Sequence, residues 1–118
     1  MSHITRLVDT VMIQDKLTAL LSRLHIELAR ILGKQLEALY LYGSRARGDA
    51  RPDSDIDVLV VILGNFDYFD MVERTGQIAA ELSLEYETVI SLAFTSKENY
   101  DHRRSPFLMN IRQEGIAV

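Results

Sequence analysis

The stretch YGSRARGDARPDSDIDVLVV (Tyr42–Val61) decides how the chain is read. Its right-hand end, continued to Leu63, is an unbroken apolar run rich in valine and isoleucine. That is the composition of a strand buried on both faces, at the centre of a sheet. Its left-hand end closes another apolar segment, LEALYLY, on a Gly-Ser pair, so a second strand runs into a turn there. Between them lie Arg45, Arg47, Arg51 and the aspartates Asp49, Asp53, Asp55 and Asp57. Two of these aspartates, Asp55 and Asp57, stand where the central strand begins. On a strand, residues two apart share a face, with α-carbons roughly 6–7 Å from each other. Carboxylates held that close beside apolar neighbours repel and lose solvation. Protonation, an arginine partner or a divalent cation would each relieve that cost, and an exposed, fully hydrated strand start would avoid it.

Working outward, apolar residues upstream recur at helical spacing: Ile13, Leu17, Leu20, Leu21, Leu24, Leu28, Ile31 and Leu32. They predict an amphipathic helix between Val11 and Leu32, stopped by Gly33. Downstream, Gly64-Asn65 ends the central strand. Phe66 to Leu82 is expected to be helical, with Phe69, Val72, Ile78, Ala79 and Leu82 facing inward and Gly76 weakening the helix. YETVISLAF (Tyr86–Phe94) is expected to be a third strand. Ser96 is placed to cap a helix over Glu98 to Arg103, and Pro106 suits the first turn of another that ends near Gly115. IAV at the end of the sequence suits a short last strand. Helices and strands in this order predict a single small α/β (α+β) domain over residues 1–118, with a mixed sheet flanked by helices.

Composition narrows the function. The 118 residues are 47% apolar and 25% charged, with no cysteine and a formal net charge of −4. A core is expected. Disulfides and thiolate metal sites are excluded. The acidic balance gives no general attraction to nucleic acid, so direct nucleic-acid binding is not expected. The longest apolar run is too short to cross a bilayer, and no signal-peptide core precedes it. The expectation is a soluble cytoplasmic protein. His3, His25 and His102 are scattered without ligand spacing, which argues against zinc.

The chemistry concentrates in the opening stretch. Gly43 and Ser44 directly follow a strand, where backbone amides and a hydroxyl suit a phosphate. Arg45 and Arg47 add positive charge, and Gly48 allows a sharp turn. Asp55 and Asp57 offer the oxygen ligands that magnesium prefers, a coordination often completed by substrate phosphates. Two-ion phosphoryl-transfer sites call for a third carboxylate. Glu85 and Glu87 share a face on the expected third strand, and Glu87, nearer its body, is the better candidate. Asp49 and Asp53 read as loop residues. The aromatic group Phe66, Tyr68 and Phe69 reads as core packing or, alternatively, as a partner surface.

Gly43-Ser44, ten residues, then Asp55-Ile56-Asp57 resembles the G-S-x10-D-x-D signature of the DNA polymerase β-like nucleotidyltransferases. With Ala46-Arg47-Gly48 and Ser54 also in register, the resemblance is closest to the minimal nucleotidyltransferases, antitoxin partners of HEPN-domain proteins. The resemblance implies the polymerase β-like fold. It implies that Asp55 and Asp57 bind magnesium ions holding ATP, that Gly43 and Ser44 contact the β- and γ-phosphates, and that Glu87 is the third acidic residue. It also implies transfer of AMP to a tyrosine of a cognate HEPN ribonuclease, switching that toxin off. Two alternatives stand beside this reading. One is a small-molecule nucleotidyltransferase of the aminoglycoside-modifying kind; the other is a non-catalytic antitoxin that neutralises its partner by covering it.

Overall fold

The computed structural model describes the backbone of residues 2–51 and 53–118, and side chains from residue 15 onward apart from residue 52. Helix α1 runs Ser2–Leu32. It buries Leu20, Leu24, Leu28 and Leu32, four leucines at i, i+4 spacing that form one stripe. Leu17, Leu21 and Ile31 flank that stripe, half-buried. Ile13, expected on the same stripe, lies outside the residues whose side chains are described. Gly33, at φ +55, ends the helix in a short 3-10 turn, Gly33–Gln35.

Strand β1 (Leu36–Tyr42) follows, then a one-turn helix α2 (Ser44–Arg47), then β2 (Ile56–Ile62). Beyond them come α3 (Tyr68–Glu85), β3 (Ile90–Ser96), α4 (Lys97–His102), α5 (Pro106–Glu114) and β4 (Ile116–Ala117). The sheet order is β3-β2-β1-β4. β2 pairs antiparallel with β1 and parallel with β3, and β4 pairs antiparallel with β1. The sheet is therefore mixed, as expected, with β2 at its centre.

The two-faced apolar run in β2 explains the layering. Ile56, Val58, Val60 and Ile62 point with Leu39, Leu41, Ile90 and Phe94 into the core under α1 and α3. Leu59 and Val61 point the other way, with Ala38, Tyr40, Tyr42 and Ala93, against Leu108 and Ile111 of α5 and Tyr100 of α4. Asp57 stands on this second face, and it is the one charged residue of β2.

Two expectations shift. In α3 the Asp67 side chain accepts a hydrogen bond from the Asp70 amide at 2.9 Å and sets where the helix starts. The buried stripe is then Met71, Thr75, Ile78 and Leu82, while Phe69 and Val72 are 69% and 45% exposed. Thr75 tolerates the core because its hydroxyl donates to the Met71 carbonyl at 2.7 Å. Ala79 is half-buried, as is Phe66, whereas Tyr68 is exposed. The third strand begins at Ile90, four residues later than the sequence suggested, and Tyr86–Val89 form a turn before it. The two caps fall where expected. Ser96 accepts from the Asn99 amide, Pro106 occupies the first turn of α5, and Ser105 caps that helix. Among the described residues, no helix is long and apolar enough to cross a membrane.

Candidate active site

The site is built where β1 turns into α2. Gly43 sits at φ +74, a left-handed conformation that side chains resist. A β-carbon on it would also lie 2.5 Å from the Asp57 Oδ2 atom. The turn requires glycine, and any side chain there would also have to displace the Asp57 carboxylate. The Gly43 carbonyl accepts from the amides of Ala46 and Arg47, both at 3.1 Å, which winds Ser44–Arg47 into a helical turn. Gly48, at φ +80, closes it, with its amide bonded to the Ser44 carbonyl. At the far end of the loop, Ser54 takes the Arg51 amide on its hydroxyl at 2.9 Å and gives its own amide to the Arg51 carbonyl at 3.0 Å. That tight turn delivers Asp55 to the head of β2.

Asp55 is exposed, while Asp57 is half-buried. In register, Asp57 lies opposite Tyr42 on β1 and opposite Ser91 on β3. Burial raises the Asp57 carboxyl above the usual carboxylate range, and the Asp55 charge raises it further. Tyr42 is raised as well, by burial first and then by the charges of Asp57 and Tyr68. Both shifts begin with burial and are increased by neighbouring negative charge, so a further anion at this spot is disfavoured. A divalent cation is the ordinary remedy for two such carboxylates, and oxygen donors suit magnesium.

The other expected residues go elsewhere. Arg45 turns to the α1 side of the sheet. There it lines a cavity of about 120 Å³ with Leu17, Leu20, Ile56, Tyr86 and Glu87, and its Nη2 donates to the Ser54 carbonyl at 2.9 Å. It holds the loop. Glu87 lies in the turn before β3 at φ +52, exposed, so the structure does not bring it onto the face that carries Asp57. Glu85 is in α3 and pairs with Arg23 of α1. Arg47 stays near the site but is engaged by two acids, Asp49 at 3.4 Å and Glu114 at 3.9 Å. It lines a cavity of about 250 Å³ with Tyr42, Gly43, Phe107 and Asn110. Among the described residues, no three histidine, cysteine, aspartate or glutamate side chains gather closely enough to hold a metal.

The sequence model of the family described as polymerase beta, nucleotidyltransferase matches residues 26–118. The chain belongs to this nucleotidyltransferase family. It is similar to a Methanocaldococcus jannaschii protein named "putative protein adenylyltransferase", at 33% identity over 85 residues, 71% of this chain and 79% of the relative. Its fold is that of a Sulfolobus solfataricus protein described as a putative nucleotidyltransferase, with TM-score 0.67, 23% identity, and coverage of 91% of this chain and 83% of that one. It is also the fold of a chain in a toxin–antitoxin crystal structure solved with AMP-PNP, with TM-score 0.54, 21% identity, and coverage of 80% and 69%.

Two residues of this nucleotidyltransferase's site escaped sequence reasoning. Tyr42 stands directly before the Gly-Ser pair, yet its position against Asp57 comes from strand register. Phe107 of α5 meets its ring edge-on, with centroids 5.4 Å apart. Ser91 flanks Asp57 on the other side for the same reason. Neither carries a local signal, because pairing between strands is not written in either strand alone.

Proposed function

We propose that this chain is a magnesium-dependent protein adenylyltransferase acting as an antitoxin, which transfers AMP from ATP to a tyrosine of a HEPN ribonuclease partner. The observation that carries the reading is the half-buried Asp57 carboxylate, set against Gly43 with Asp55 two residues before it. The name of the Methanocaldococcus relative and the fold shared with a toxin–antitoxin structure solved with AMP-PNP support it.

Asp55 and Asp57 would hold the ion. Bound there, magnesium supplies charge neutralisation on the phosphates and polarises the α-phosphorus. Ser44, through its hydroxyl and its backbone amide at the start of α2, receives the terminal phosphates. Arg45 keeps the 49–55 loop, and so Asp55, in position through Ser54. The acceptor oxygen then bonds to the α-phosphorus, the bond to the bridging oxygen breaks, and pyrophosphate leaves. Transfers of this type depend chiefly on positioning and electrostatic stabilisation. An adenylyl group on the partner adds a phosphodiester charge, which opposes RNA binding there.

The test incubates the protein with magnesium, ATP labelled at the α-phosphate, and the product of the neighbouring gene. Label is expected on a tyrosine of the partner. The Asp55→Asn, Asp57→Asn double variant is expected to lose about 10³-fold in rate while keeping its fold. A stable complex without label would instead support neutralisation by binding alone. Label on an added aminoglycoside would support the small-molecule reading. Undiminished transfer by the double variant would refute the metal assignment.

A further inference from the structure

Two-ion phosphoryl-transfer sites clamp ions about 3.5–4 Å apart and need carboxylate oxygens enough for both. In this fold the place for an additional ligand beside Asp57 is fixed by the sheet. β3 runs parallel to β2 and pairs Asp57 with Ser91. Adjacent strands lie about 4.8 Å apart, so residue 91 has the neighbouring position on the same face. That face is confirmed by Ala93, two residues on, which packs with Leu59 and Val61. β3 reads ISLAFTS and carries no acid at all.

The nearby acids are paired or lie off this face. Glu85 pairs with Arg23, Asp49 and Glu114 with Arg47, and Glu37 with Lys97. Glu87 lines the cavity on the α1 side of the sheet. Among the described residues, Asp55 and Asp57 are the two carboxylates that β2 and its leading loop bring to this face. Glu114 of α5 lines the neighbouring cavity with Tyr42 and Gly43 and is paired with Arg47.

We propose that this site holds a single divalent cation together with its nucleotide, and that Ser91 is the residue that limits it to one. The inference rests on the nucleotide-transfer reading above and deepens it. A serine hydroxyl is a weak, neutral ligand, and it takes no proton at neutral pH. With Ser91 there, the acceptor oxygen forms its bond to the α-phosphorus, pyrophosphate departs, and the acceptor's proton passes to water. Asp55 and Asp57 are occupied by the ion.

The deciding measurement counts Mn2+ bound to the intact chain by paramagnetic resonance, with saturating α,β-methylene ATP, which cannot be cleaved at the α-phosphorus. One tightly held Mn2+ per chain is expected for the wild type, and two for Ser91→Asp. Ser91→Asp also adds a third negative charge to the face. Its melting temperature should therefore fall without cation, and should rise with Mn2+ at least twice as far as the wild type's. Ser91→Ala should still hold one ion, a count that stands even if Ser91→Asp does not fold. Two ions in the wild type overturn the proposal, as does one ion in a folded Ser91→Asp, or loss of the ion in Ser91→Ala. No nucleotide-dependent Mn2+ in any variant sinks the nucleotide-transfer reading itself, an outcome distinct from a count of two.

Discussion

At the head of β2 the two faces of the sheet handle charge in opposite ways. On the α1 side, cations find partners within the fold: Arg45 donates to the Ser54 carbonyl, and Arg23 pairs with Glu85. On the α5 side, Asp57 is half-buried with Asp55 next to it, and its carboxyl is raised by both burial and that neighbour. Arg47 is near but is engaged by Asp49 and Glu114. The matched face is scaffolding. The unmatched face costs the fold something, and a cost retained at one spot marks where a ligand is expected to relieve it.

Gly43 joins the two faces, and changing it should have the largest effect. Gly43→Ala puts a β-carbon 2.5 Å from Asp57 Oδ2 and strains a φ of +74. We expect a loss of about 1–2 kcal/mol in urea unfolding and a fall in transfer rate of about 10²-fold. A fully active Gly43→Ala protein would break the link between the turn and the carboxylate.

Arg45→Ala tests the matched face. Losing a charge-assisted bond to a backbone carbonyl should cost about 1–2 kcal/mol, read by the same unfolding curves. Transfer rate should fall less than about 5-fold, because the loop is loosened and no phosphate contact is removed. A large fall in rate without loss of stability would place Arg45 on the nucleotide instead.

Asp57→Asn tests the unmatched face through stability alone. A carboxyl raised in the folded state favours its proton there, so the destabilising cost exists above the raised pKa and disappears as pH falls through it. In chelator at pH 7.5, the variant should melt about 2 °C higher than the wild type. That gain should vanish below about pH 4 and reverse when magnesium and nucleotide are added. The smallest effect is expected from Glu87→Gln, which should change transfer less than about 2-fold. A greater loss would restore Glu87 to the site.

Much of this was legible in the sequence. The valine run declared a central strand, and Gly43 of the Gly-Ser pair stands against Asp57 of the Asp-x-Asp pair. Ser96 and Pro106 set the ends of their helices. What failed did so for reasons outside local pattern. Phe69 and Val72 outrank Met71 and Thr75 in hydrophobicity, yet the Asp67 cap fixes a helix phase that buries the latter pair. Glu87 was placed by extending the alternation of β3 backward, although the strand starts only where Ile90 finds Ile56. The destination of Arg45 depends on a backbone carbonyl nine residues away, and no composition rule announces that.

The placement of Tyr42 has a practical consequence. The chain contains no tryptophan and five tyrosines, so its ultraviolet emission comes from tyrosine alone. Tyr42 is the one paired across the sheet with Asp57, and a carboxylate beside a phenol is an effective quencher of its excited state. A cation arriving on Asp57 should therefore brighten the protein, an unlabelled optical readout of site occupancy that needs no engineered dye.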